Sequence, residues 1–252
     1  MNDFGFETLL IERDLKYREK WAPTSVSRFR QLIKQGILKN MDEPICRNVA
    51  YNLQYLQYID LQIRDLKLHS VIYTMLYKTY IITSISIIEA IFYYILKNNN
   101  QNKTLNEELI FSTKSNKKKY NDDELIIETN VYKIIEPKRV EMSLDSMIKK
   151  MEKKGYLDLK HEYFPYLKHF KDLRNKVHLH ISEDSLYKTD YWQFEKSDVL
   201  FVKYILCHIL TDSNIIKLPK SDKPNIRLIP SEYSFLNITN EDIKIIKMKY
   251  DV

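Results

Sequence analysis

Arg174, Asn175, His178 and His180 fall within seven residues, and together they offer groups that move a proton and hold a phosphoryl oxygen near neutral pH. Imidazole titrates in that range, and a guanidinium can hold two oxygens of one phosphate at once. On an ideal helix His178 lies about 40° around the axis from Arg174 and His180 about 120° away. Regular geometry therefore favours His178 as the neighbour, whereas an unwound last turn brings His180 in. The stretch beginning at Pro165 places Tyr163, Leu167, Phe170, Arg174 and Val177 on one face, so the arginine interrupts an apolar stripe. A guanidinium there must find a partner or line a cleft, because burying it unpaired costs far more than its packing returns. The plain alternative is an arginine satisfied by Asp172, Glu89 or a helix end, with both histidines at a surface turn.

The elements that must position this segment are mostly helical by pattern. Only Gly5, Gly36 and Gly155 occur in 252 residues, too few positive-φ positions for a fold built on many tight β-turns. Residues 1–52 read as a helical extension, with short amphipathic runs at Phe6–Leu15 and Phe29–Leu38 and cap candidates in Thr24–Ser27. From about Asn52 to Lys97 no Pro or Gly interrupts the helical periodicity, so one or two long helices cover it. Thr79–Leu96 is apolar enough to raise a membrane question. Glu89, Ser84 and Ser86 inside it favour a buried core helix, because a carboxylate in mid-span is expensive.

After Asn98–Asn100 comes a polar insertion, 98–137, carrying Lys117–Lys119. It is flanked by extended candidates at Glu107–Ser112 and Glu124–Glu136, the second closed by Pro137, and a small hairpin fits. The lysine run reads as a solvated loop. Ser143 caps a helix to Lys154 that stops at a left-handed Gly155, and Ser197 or Asp198 caps a last core helix through Leu210. Residues 213–252 form a tail marked by Pro219, Pro224 and Pro230, with a short helix near Glu241–Lys249.

The segment Leu173-Arg174-Asn175-Lys176-Val177-His178-Leu179-His180 resembles the signature of HEPN domains, in which an Arg followed by a polar residue precedes a His by four to six intervening residues. Arg174, Asn175 and His180 match that spacing, and His178, with three residues between, falls short of it. The order of elements over about 55–212 is similar as well. The resemblance implies a mainly all-α, antiparallel helical bundle with a small β-hairpin insertion and short helical extensions. It further implies a homodimer through the motif helix and metal-independent RNA cleavage by 2′-hydroxyl attack, in a toxin or antiviral defence effector. Arg174, Asn175 and His178 or His180 would be catalytic, with Lys171 and Lys176 as RNA contacts and an antitoxin or operon partner in attendance. A catalytically silent dimerisation or nucleotide-binding module of the same kind is the competing reading.

Other function classes find little support in the residues. His161 and His169 lack a carboxylate or thiol at ligand spacing, so no metal site or cofactor is expected. There is no Gly-rich phosphate loop, and no nucleophile elbow. The net charge of +6 and pI near 8.9 permit a phosphate-bearing partner without requiring one. Cys46 and Cys207 lie far apart and read as reduced thiols in a cytoplasmic, non-membrane protein.

Overall fold

A computed structural model describes residues 21–121, 123–175, 193–216 and 229–250. Its helices are α1 (Val26–Ile33), α2 (Glu43–Asp65), α3 (Ser70–Asn98), α4 (Leu144–Lys154), α5 (Phe164–Asn175), α6 (Lys196–Leu210) and α7 (Asn240–Lys249). Between α3 and α4 stand the strands β1 (Lys103–Lys114), β2 (Lys118–Tyr120), β3 (Asp123–Leu125) and β4 (Glu128–Val140). The expected N-terminal run at Phe6–Leu15 lies outside the described residues.

α3 is the hub. It packs against α2, α4, α5 and α6, and in its most apolar 18-residue window 67% is buried. By length and composition this helix is able to cross a membrane; here Tyr80, Ile81, Ile88, Ile91 and Phe92 are fully enclosed by protein. The segments on either side of 53–212 share the same core. Phe29 of α1 stacks on Tyr233 with ring centres 6.0 Å apart, and the Ile37 amide donates to the Asn214 carbonyl at 2.8 Å.

Local signals set several of these elements. The Ser25 hydroxyl accepts the Arg28 amide hydrogen at the start of α1, and Ser143 does the same for Ser146 at α4. α4 ends on Gly155 at φ +59°, the left-handed stop read from its type. At α6 the cap differs from the expected Ser197 or Asp198. Glu195 is the N-cap, and Asp198 reaches back to the Glu195 amide, so the two form a capping box.

The all-α expectation is corrected. About 61% of the described residues are helical and 15% lie in strands, a mixed α and β fold. The expected small hairpin is a long antiparallel arm of twelve and thirteen residues, β1 against β4, continued by the short β2–β3 pair. Pro137 does not close the second strand. Leu105 pairs with Lys138 and Glu107 with Ile134, so two extra residues of β4 are accommodated beside Pro137. A bulge on an edge strand tolerates a residue with no amide hydrogen, which is why the ladder continues to Val140.

Asp198 joins the last helix to the bundle. Its fully buried carboxylate accepts from Lys249 Nζ at 3.0 Å and from the Tyr250 hydroxyl, with His169 Nε2 at 3.9 Å. Burial alone would raise its pKa, but the nearby His169 imidazole, the hydrogen bonds from Tyr250 and the Glu195 amide, and the charge of Lys249 outweigh it and hold the carboxyl below its ordinary 3.8. A depressed folded-state pKa contributes stability above the unfolded value that is lost as pH falls through the folded one. Asp198→Asn is therefore expected to cost about 2 kcal/mol at neutral pH. In thermal melts the wild-type advantage should shrink as pH drops below 3.8.

Gly36 gives a second check. A Cβ at this position, where φ is +47°, would overlap the Asn214 carbonyl and stand 2.6 Å from the Ile215 oxygen, whereas one at Gly155 meets nothing. Gly155→Ala should cost about 1–2 kcal/mol from its left-handed backbone alone, and Gly36→Ala upward of about 3, read from denaturant midpoints.

Candidate functional site

α5 forms because Phe164, Leu167, Phe170 and Leu173 present one apolar face to the core, with Pro165 tolerated in its first turn. Arg174 and Asn175 sit at its described end, where the apolar face gives way to solvent. Arg174 Nη2 donates to Glu89 Oε2 of α3 at 2.7 Å, with the two side chains 33% and 25% exposed. Of the partners considered for this arginine, Glu89 is the one it takes.

A guanidinium carries five N–H donors. Among the described residues Arg174 uses one side of its fork on Glu89, and its exposed remainder opens into a cleft of about 510 Å³. Glu141, Ser143 and Asp145 form the facing wall, with Lys171 and Asn175 beside the arginine. A second cleft, about 520 Å³, shares Glu89 and Glu141 and runs along α3 past Tyr93 to Lys97.

Lys171, expected to contact RNA, is already engaged. Its Nζ lies 3.1 Å from Asp172 Oδ1 and 3.3 Å from Asp145 Oδ1, and the side chain is 18% exposed. The hydrogen bond that Lys171 donates to Asp172, joined by the one it donates to Asp145, raises the Lys171 pKa against the opposing effect of burial, so the ammonium stays charged across the neutral range. Asp145 is held below its ordinary value chiefly by Lys149, at 2.6 Å, and then by Lys171.

The structure brings Arg174, Asn175 and Lys171 to one cleft. His178, His180 and Lys176 lie outside the described residues. The Glu141–Asp145 wall is not legible in the sequence: Ser143 and Asp145 carry a helix-start signal, and nothing local marks Glu141 as facing another helix. Three carboxylates, Glu89, Glu141 and Asp145, meet two cations in this lining. Among the described residues no group of three or more His, Cys, Asp and Glu is placed to share a metal ion.

Arg174 held by one carboxylate with donors to spare can bind an anion without being re-oriented, because Glu89 already restricts its rotamers. No family model, curated protein or solved structure gives a significant match to this chain.

The Arg174–Glu89 pair is partly screened by solvent, which limits its worth. A double-mutant cycle of Arg174→Ala and Glu89→Ala should give a coupling energy of about 1 kcal/mol in urea unfolding. A coupling near zero would show that the contact contributes nothing to the fold.

Proposed function

We propose that this chain is a metal-independent endoribonuclease of the HEPN type. The observation that carries the reading is Arg174, anchored by Glu89 and open to the cleft, on the helix that leads into His178 and His180. Arg174 holds the scissile phosphate, and Asn175 orients it. One of the two imidazoles takes the proton of the RNA 2′-hydroxyl as that oxygen bonds to phosphorus. The bond to the 5′-oxygen breaks, and the leaving oxygen takes up a proton from the imidazolium or water. Lys171 exchanges its carboxylate partners for the RNA backbone, with Lys176 beside it. Two copies facing through α5 make a composite cleft, and a cytoplasmic toxin or defence effector restrained by an antitoxin or operon partner is the setting that fits.

The excess of carboxylates in the described lining favours a second reading, a silent module of the same kind that dimerises or binds a nucleotide, since fixed negative charge opposes a polyanion. Incubation of the purified protein with tRNA and total RNA in EDTA separates the two. Cleavage is expected for the wild type and is lost in Arg174→Ala and in the double His178→Ala, His180→Ala protein. Equal activity in all three, or none in the wild type, rules out the nuclease.

A further inference from the structure

The cleft beside Arg174 continues past its acidic wall. Glu89 and Glu141 also line the second cavity, which runs along α3 past Tyr93 to Lys97 and Ile45, so the two form one groove. About 12 Å of helix separates Glu89 from Lys97, room for more than one nucleotide. At the far end the charge changes sign. Lys97 Nζ lies 2.6 Å from Asp42 Oδ2, and the next residue, Glu43, is shared by Arg30, by Lys34 at 2.7 Å and by Arg47 at 3.4 Å. Three cations on one carboxylate leave that cluster with an excess of positive charge. The side chains of Arg30, Lys34 and Arg47 are 32%, 33% and 51% exposed, so an anion in solution can reach them.

The groove therefore has Arg174 at one end, two carboxylates and a tyrosine in the middle, and the cation cluster at the other end. Tyr93 is 36% exposed, and Glu141 is exposed beside it. A phosphate at the middle step would meet the charge of Glu141. A base there would not, because a carboxylate accepts hydrogen bonds from an exocyclic amino group and a tyrosine ring gives any base a face to stack on. Only an unpaired base can turn into the groove in this way, since a duplex keeps its bases inside and presents phosphates at every step.

We propose that this groove binds single-stranded RNA, with one base stacked on Tyr93 between a phosphate at Arg174 and phosphates at Arg30, Lys34 and Arg47. The scissile character of the phosphate at Arg174 rests on the nuclease reading, whereas the course of the strand past Tyr93 to the cation cluster does not. The acidic wall, unfavourable to a phosphate, then selects a base for that step.

Fluorescence anisotropy of a labelled 2′-O-methyl oligoadenylate of about twelve nucleotides tests the proposal. This probe lacks the hydroxyl that cleavage needs, so binding is read apart from catalysis. The wild-type chain is expected to bind it about tenfold more tightly than the same strand annealed to its complement. The double Lys34→Gln, Arg47→Gln chain, which leaves Arg30 on Glu43, should bind more weakly, with the slope of log affinity against log salt reduced by about 1.4 for two lost phosphate contacts. Tyr93→Ala should weaken binding about tenfold with that slope unchanged, and Tyr93→Phe should restore it. All of these chains should keep the wild-type thermal melt. Binding in this pattern by a chain that cuts no RNA upholds the groove and removes the nuclease. The proposal is overturned by a wild type that does not bind the oligonucleotide, by a duplex that binds equally well, or by Tyr93→Ala and Lys34→Gln, Arg47→Gln chains that bind as the wild type does, even where the wild type cleaves RNA.

Discussion

The desolvation of α3 governs this molecule. Twenty-nine residues of mostly apolar helix must be taken out of water, and α2, α4, α5 and α6 are arranged around it to do so. Glu89 is the sole carboxylate on that helix. A charge on a helix otherwise buried on most sides is tolerated only where a partner and some solvent reach it. Arg174 meets that need from α5, and the place where both requirements are satisfied is the cleft. The candidate site is thus a consequence of how the most apolar element is covered.

The same constraint explains the separation of the fold into a helical body and a strand arm. Residues 103–140 are rich in β-branched and aromatic types, but their apolar residues are spread over both faces of a two-stranded ribbon. Such a ribbon offers no single apolar face to lay on the bundle, so it projects with side chains such as Ile134 in solvent. Its bulges, at Leu105/Glu107 and Leu109/Phe111, further prevent a flat docking face. The root of the arm nevertheless shapes the body, because the chain leaving β4 supplies Glu141 and then the Ser143 cap that starts α4.

Function follows from the balance of charges at the cleft. Arg174 is pre-positioned, and Lys171 is charged but neutralised by Asp145 and Asp172. An anionic ligand must compete with these carboxylates, whereas a proton-transfer group next to Arg174 in the chain would find its partner already oriented. That tension separates the proposed nuclease from a silent relative, and it resides in the acidic wall.

What the sequence determined by itself is whatever depends on neighbours within a few residues. The Ser25 and Ser143 caps, the Gly155 stop, the break of α4 from α5, the α7 segment and the anomalous position of Arg174 on an apolar stripe were all legible, because helix periodicity and capping act over one or two turns. Choices among chemically similar neighbours were not. Glu195, Ser197 and Asp198 can each cap a helix, and Asp198 was drawn to its role partly by Lys249 and Tyr250, more than fifty residues away. The length of the arm was not legible because a bulge, invisible in composition, absorbs Pro137. Tertiary structure alone decided that Glu89, 85 residues before it, would be the partner of Arg174, and that the arm would stand free. Both outcomes turn on which surfaces compete for burial, and that competition is settled only when every element is in place.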